Sequence, residues 1–262
     1  MSFLFIQTLT GIKKNICLKA NKSLICDMEK YYSTKLSAEK LMKCYETAPL
    51  RIRQYLNAET DYVLKKINAG NSVLELGCGY GRILTDIAKK ARIVVGIDTS
   101  LSSIEMGRKL LSGYPGISLM QMDATRLEFK DSSFDAVVCI QNGISAFQTD
   151  KLKLIKESIR VSKPGGIILF SSYLEKFWDE RLKWFELQAE KELIGEIDYS
   201  KTKNGTIVCK DGFSAGTVGA TEFKALVSEI KNIRTKVSEI DNSSIFFEII
   251  PDKFGTFIKA AG

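Results

Sequence analysis

The sequence predicts an α/β fold, a three-layer doubly wound sheet with helices on both faces. Three observations point there. Short apolar runs alternate with stretches of helical period from Val73 to Ser171, the pattern of repeated strand–helix–strand units with right-handed crossovers. The run Phe134–Ile140 is apolar almost throughout, as in a strand covered on both faces. The segment Val73-Leu-Glu-Leu-Gly-Cys-Gly-Tyr-Gly-Arg82 passes from a strand through three glycines in five residues into a helix, a corner suited to a nucleotide-bearing ligand.

Taken in order, residues 1–27 show neither helical nor strand period; a poorly ordered extension is expected there, and Met28 offers an alternative start. Residues 28–70 read as an N-terminal helical lid. Leu36, Leu41, Met42 and Tyr45, then Ile52, Tyr55, Leu56, Tyr62, Val63 and Ile67, recur at helical spacing, and Pro49 divides two helices. Ser37 precedes the first helix without a full capping box.

Residues 71–262 form the body. Strands are expected at Val73–Leu76, Ile93–Ile97, Ile117–Gln121, Phe134–Ile140 and Ile167–Ser171. Helices are expected at Arg82–Ala91, Leu101–Leu111 with Ser100 as N-cap, and Asp150–Val161, stopped by Lys163-Pro-Gly-Gly166. An insertion at 174–215 follows, with a charged aromatic helix over Leu174–Ile194 and a strand pair over Asp198–Phe213, turned at Asn204-Gly205. A helix at Thr221–Ile230 and strands at Arg234–Ile240 and Ser244–Ile250 complete the chain.

Composition narrows the function. The chain has 262 residues, 45% of them hydrophobic, enough to bury a substantial core. No apolar run reaches the roughly 18 residues needed to cross a bilayer, so no membrane partner is expected. The six cysteines are scattered, none as C-x-x-C, and there is no histidine; no metal site is expected, and small core thiols in a reducing cytoplasm are. The net charge is +7, but residues 1–43 hold eight lysines against Asp27, Glu29 and Glu39. The body is nearly balanced, so nucleic acid is not the expected partner.

The corner itself selects a ligand. The dinucleotide fingerprint is G-x-G-x-x-G, whereas this chain reads Glu75-x-Gly77-x-Gly79-x-Gly81. A carboxylate at the corner is a poor companion for pyrophosphate and suits a ligand carrying an amine or a sulfonium. Asp98 ends the next strand, about 20 residues on, where a ribose-binding acid is expected.

On these residues the sequence resembles the class I S-adenosylmethionine-dependent methyltransferases, in the broad type 11/type 25 small-molecule group. The resemblance rests on Glu75–Gly81, Asp98, Met122-Asp123-Ala124, Phe134-Asp135-Ala136-Val137-Val138 and Lys163-Pro164-Gly165-Gly166, in the expected order over residues 60–175. It implies an antiparallel last strand and S-adenosyl-L-methionine as the methyl donor. It also implies roles. Glu75 would hold the methionyl amino group, with Gly77, Cys78, Gly79 and Gly81 forming the loop. Asp98 would take the ribose hydroxyls with Thr99 beside the adenine. Asp123 and the Ala124 N–H would read the adenine, and Gln141 would face the methionyl end.

In-line displacement at a sulfonium methyl needs alignment and desolvation more than acid catalysis. A base, without histidine, would have to be Asp, Glu, Tyr or Lys; Tyr32, Tyr45 and Asn142 are the candidates for the catalytic wall. Signatures of DNA amino-methyltransferases and of pyrimidine carbon-5 enzymes are absent. A small-molecule O, N or S acceptor is therefore expected, held between the lid and the 174–215 aromatics Phe177, Trp178, Trp184, Phe185, Tyr199 and Phe213, with packing as the plainer role for these rings. The alternatives are an RNA or protein acceptor, or a silent S-adenosylmethionine-binding protein. Monomer and homodimer both stay open.

Overall fold

The computed structural model describes residues 31–147 and 149–252. The expected extension at 1–27 lies outside the described residues. Strands β1 (Ser72–Leu76), β2 (Ile93–Asp98), β3 (Ile117–Gln121), β4 (Phe134–Cys139), β5 (Ser162–Tyr173), β8 (Ile233–Ile240) and β9 (Ser244–Pro251) form one sheet in the order β3-β2-β1-β4-β5-β9-β8. All neighbours among β1–β5 run parallel; β9 runs antiparallel to both β5 and β8. The order reverses at β1, so the carboxyl ends of β1 and β4 open a crevice where such sheets bind ligands.

The two-residue period of the strands divides the core in two. Leu74, Leu76, Val95, Ile97, Val137, Cys139, Phe247 and Ile249 belong to one apolar cluster. Their alternates Val73, Val94, Ala136, Val138 and Phe246 belong to another. The first cluster is capped by Leu154, Ile155 and Val161 of α7 (Lys151–Val161) and Phe223 of α9 (Ala220–Val227). The second is capped by Val63 of α3 (Leu50–Lys66) and Ile67 just after it, Leu84 and Ile87 of α4 (Leu84–Ala88), and Ile104 of α5 (Leu101–Leu110).

A third cluster is built mainly from helices and the insertion, and touches the large sheet at Tyr173, the last residue of β5. Ile52, Tyr55 and Leu56 of α3 and Cys44 of α2 (Ala38–Glu46) pack with Trp184 and Phe185 of α8 (Trp178–Glu190), and with Ile207, Cys209 and Phe213. The N-terminal helices, which begin with the single turn α1 (Tyr31–Thr34), thus share one core with the insertion. The remaining helix α6 (Gly143–Ala146) follows β4.

Helix α3 is fastened along one face to β9 and to Asp241 in the turn that precedes it. Arg51 pairs with Asp241 at 2.6 Å, Glu59 accepts from the Ser244 hydroxyl, and both the Tyr62 hydroxyl and the Lys66 ammonium reach Glu248. The spacing of 51, 59, 62 and 66 keeps all four on that face.

Several local expectations are corrected. The helix expected at Arg82–Ala91 begins at Leu84 and is five residues long, since Cys78–Gly81 makes a turn in which the Gly81 N–H donates to the Cys78 carbonyl. Lys163–Gly166 does not separate helix from strand. Strand β5 starts at Ser162, and these four residues bulge, so Phe134 pairs with Ser162 while Ala136 pairs with Ile167. Asp135 secures that bulge by accepting from Lys163 Nζ at 2.9 Å and from the Ser72 N–H at 2.8 Å. In the insertion, Asn204 and Gly205 have φ of +51° and +73° and close a two-residue turn between Lys203 and Thr206. The ladder instead joins β6 (Ile207–Val208) to β7 (Ser214–Ala215). Helix α9, expected at Thr221–Ile230, runs from Ala220 to Val227 with Gly219 before it.

Candidate active site

The crevice above β1 and β4 continues into a cavity whose walls come from the glycine loop, the ends of β2 and β4, and the third apolar cluster. Glu75, Gly77, Cys78, Gly79, Asp98, Thr99, Asp123, Ala124 and Gln141 all line it. Gly81 stands behind the loop, where a Cβ would meet Leu111 Cδ1 at 2.6 Å.

The loop is shaped from beneath. The Gly77 and Cys78 N–H groups both donate to the Ile97 carbonyl, at 2.8 and 2.9 Å. Gly79 N–H donates to Asp98 Oδ2 at 2.9 Å, and Ser100 N–H to Asp98 Oδ1 at 2.8 Å. These amides are spent inside the protein, so the loop offers a ligand close approach instead of an anion cradle. Gly77 shows why: its φ is +72°, and a Cβ would lie 2.4 Å from the Phe147 ring. Burial raises the Asp98 pKa, and the amide hydrogen bonds oppose that rise. Each Asp98 oxygen accepts one amide and retains a lone pair for a hydroxyl.

Glu75 is buried at the penultimate position of β1. Its Oε2 has no hydrogen-bond partner. Burial pushes its pKa up to about 8, the Arg82 guanidinium pulls it down and Asp98 pushes it further up. A cation in the cavity would restore the ionised form. Cys78 is buried, and burial holds its thiol neutral. Asp123 Oδ1 accepts from both the N–H and the hydroxyl of Thr125, at 2.8 and 2.9 Å, so this acid caps its own loop while lining the cavity. The Thr99 carbonyl accepts from Gln121 Nε2 at 3.0 Å.

At the other end, Tyr32 and Tyr45 line the cavity, and burial drives both phenols well above their ordinary pKa. They are neutral donors and acceptors, not phenolate bases. Asn142 is a correction. Its Nδ2 donates to the Gly216 carbonyl at 2.9 Å and its Oδ1 accepts from Ser172 at 2.7 Å, so it ties α6 to β5 and the β7 end instead of facing a ligand. Of the six insertion aromatics, Trp184 and Phe185 line the cavity. Phe177 and Phe213 are buried in the third cluster, Trp178 packs at its edge, and Tyr199 is exposed.

Sequence reasoning missed two residues. Arg82 lines the cavity with a buried, unpartnered Nη2, and its guanidinium carbon sits 4.9 Å from the Tyr45 ring centroid. Glu59 is fully buried beneath Gln141, accepting its N–H at 2.8 Å. Gln141, at φ +55°, also accepts from the Tyr45 hydroxyl at 2.8 Å. Burial raises Glu59 to about 7, against hydrogen bonds from Ser244, Ser171 and Gln141. The available signal was a carboxylate on the apolar face of a helix, four residues after Tyr55 and three before Tyr62.

Among the described residues no His/Cys/Asp/Glu group could hold a metal ion, and no helix is long and apolar enough to cross a membrane.

Comparison with known proteins agrees with this geometry. Residues 73–166 match the family model described as a methyltransferase domain. The demethylmenaquinone methyltransferase of Clavibacter sepedonicus is 36% identical over 105 residues, covering 40% of this chain and 42% of that protein. The chain thus spans less than half the length of the curated relatives it matches first. A solved SAM-dependent methyltransferase from Methanosarcina mazei superposes with a TM-score of 0.53 at 21% identity, over 73% of this chain and 98% of that one. The cyclase SpnF superposes with a TM-score of 0.54 at 12% identity, over 95% and 93%; at such identities the likeness is one of fold. Loop, sheet order and family match together place residues 73–166 in the class I S-adenosylmethionine-dependent methyltransferase family, type 11/type 25 group.

Proposed function

We propose that the chain binds S-adenosyl-L-methionine in this cavity and transfers its methyl group to an O, N or S nucleophile of a small molecule. The observation that carries the reading is the buried Glu75 carboxyl, whose Oε2 has no hydrogen-bond partner, lining a crevice together with Gly77 and Gly79; a cationic ligand there would favour its ionised form. Glu75 would take the methionyl amine. Asp98 would take the ribose hydroxyls with Thr99 alongside, and Asp123 and Ala124 would flank the adenine. Gly77, Cys78 and Gly79 would lie against the ligand, with Gly81 shaping the loop behind them, and Gln141 would face the methionyl end. When bound, the sulfonium supplies an electrophilic methyl and a neutral thioether leaving group. The protein's part is to align the acceptor and exclude water.

A small acceptor fits the roof. Helices α2, α3 and α8 pack into one core over the cavity, and the wall there is aromatic, with Tyr31, Tyr32, Tyr45, Tyr173, Trp184 and Phe185. The Clavibacter relative is named for a quinone-type acceptor, consistent with a planar apolar substrate. The lid would comprise residues 28–70 and the substrate-side insertion 174–215. A reducing cytoplasmic setting suits the four described cysteines, all free and buried.

A second reading is S-adenosylmethionine binding without methyl transfer. The neutral Tyr32 and Tyr45 phenols and the averted Asn142 favour it. Mass spectrometry of an acceptor panel incubated with methyl-deuterated S-adenosylmethionine decides between them. A labelled product supports transfer; tight binding with no product from a broad phenol, amine and thiol panel supports the second reading.

A further inference from the structure

We propose that the methyl acceptor is an acidic ring hydroxyl, a phenol or an enol, reacting as its oxyanion, and that Arg181 supplies the positive charge that favours this anion. The proposal rests on the methyl-transfer reading above and narrows its acceptor to one chemical class.

Arg181 of α8 is 1% exposed. A buried arginine is ordinarily held by a carboxylate. This one has no carboxylate partner among the described residues. Its Nη1 donates to the Gly205 carbonyl at 2.7 Å, its Nη2 to the Ala215 and Gly216 carbonyls at 2.6 and 3.3 Å, and its Nε has no partner. Carbonyls answer the donors but carry no net charge, so a positive charge stands uncompensated inside the protein. Arginine does not shed it by losing a proton. Burial lowers the Arg181 pKa, and the groups that oppose this are phenols: Tyr173 of β5, Tyr32 of α1 and Tyr55 of α3. On its own helix Glu180 pairs with Lys183, and Glu59 of α3 is engaged by the Ser244 hydroxyl and the Gln141 N–H.

The charge lies behind the aromatic wall of the cavity. The guanidinium carbon is 4.5 Å from the Tyr173 ring centroid and 5.5 Å from that of Phe185, and both of these residues line the cavity. Charges interact more strongly across an apolar interior than across water. An anion on the cavity side of these rings therefore supplies the missing countercharge, whereas a cationic acceptor would be repelled. The rings suit a flat partner, which puts the oxyanion on an unsaturated ring. The same anion answers the lack of a base. Burial keeps Tyr32 and Tyr45 neutral, and an acceptor that ionises on binding needs no side chain to take its proton. It gives that proton to water. Its oxygen pair then forms the bond to the methyl carbon as the carbon–sulfur bond breaks, with the electron pair left on sulfur.

The test uses para-nitrophenol, colourless as the phenol and yellow as the phenolate, bound to the full chain saturated with S-adenosylhomocysteine. Its absorbance is followed against pH. On the wild type it is expected to ionise about one pH unit lower than in free solution, a tenfold change in its acid constant. Arg181→Gln is expected to abolish that difference. Arg181→Lys, which keeps the charge and loses the fork of carbonyl bonds, is expected to retain most of it. Were Arg181 only a clamp on residues 205, 215 and 216, the bound phenol would ionise where the free one does, and that result overturns the proposal. So does a lowered ionisation that folded Arg181→Gln retains, tighter binding of neutral para-nitroanisole or cationic para-nitrobenzylammonium than of the phenolate, or binding of none of the three. Should Arg181→Gln not fold, the wild type and Arg181→Lys carry the test: a lowered ionisation in both supports the proposal, and an unmoved or raised one in the wild type overturns it. A chain that fails to bind S-adenosylhomocysteine overturns the donor reading as well, whereas normal S-adenosylhomocysteine binding with unmoved para-nitrophenol rejects the oxyanion proposal alone.

Discussion

Glu59→Gln should make the protein less sensitive to pH, and more stable than the wild type near neutrality. Glu59 is fully buried, accepts the Gln141 N–H and the Ser244 hydroxyl, and has its pKa raised by burial from 4.5 to about 7. In the unfolded chain it ionises at its ordinary value. Between these values the folded protein binds the extra proton, so stability from this group is fully present below 4.5 and is lost as pH rises through 7. At 1.36 kcal/mol per pKa unit, the loss between pH 5 and pH 7 is about 2 kcal/mol. A glutamine at this site can accept from Gln141 through its oxygen and donate to Ser244 through its amide nitrogen, so it keeps both contacts without titrating. Urea unfolding at pH 5, 6, 7 and 8, followed by far-UV circular dichroism, reads the effect. The variant should match the wild type near pH 5 and exceed it by about 2 kcal/mol at pH 7. Parallel pH profiles for the two proteins would refute the argument, because Glu59 would then ionise equally in both states.

Glu75 titrates by the same logic toward about 8, and a ligand ammonium favours its ionised form. S-adenosylhomocysteine binding at pH 7 should therefore release about one proton, seen as a dependence of calorimetric enthalpy on buffer ionisation heat; a buffer-independent enthalpy counts against it. Gly77→Ala forces a Cβ to within 2.4 Å of Phe147 at φ +72° and should abolish ligand binding. Gly113→Ala, with nothing within 4 Å of its Cβ, should be neutral in thermal melts and binding; equal effects of the two would disprove the steric account. Asp98→Asn leaves one of the Gly79 and Ser100 amides facing an NH2 group and should weaken S-adenosylhomocysteine about tenfold, roughly one lost charge-assisted hydrogen bond. Unchanged affinity would remove Asp98 from the ribose site.

The sheet was legible because buried parallel strands write themselves as continuous apolar runs, and Phe134–Cys139 is one. The donor end was legible because close backbone approach leaves glycine as the residue that fits, as Phe147 against Gly77 illustrates. Arg82 and Glu59 were not. Arg82 is half-buried in a turn, which a single sequence does not distinguish from a solvated arginine, and the carboxylate of Glu59 on an apolar helix face takes its meaning only once tertiary packing buries it. Asn142 misled for the converse reason. A polar residue leaving a strand's carboxyl end is well placed for a ligand, but here it turns at φ +64° and spends its amide on Ser172 and Gly216.

One residue joins the two ends of the cavity. Tyr45 rises from α2, places its ring 6.3 Å from that of Trp184, lies under the Arg82 guanidinium and hydrogen-bonds Gln141. Trp184, on the insertion, donates its indole N–H to the Cys44 carbonyl beside Tyr45. A change that reshapes the aromatic wall for a different acceptor therefore shifts the backbone that carries Tyr45, and with it the orientation of Arg82 and Gln141. On the proposed function, acceptor preference and donor affinity would be coupled through this contact. Substitutions at Trp184 should alter both together, whereas substitutions at Asp123, which bonds Thr125 and not the Tyr45–Trp184 contact, should change donor affinity alone in calorimetric titrations.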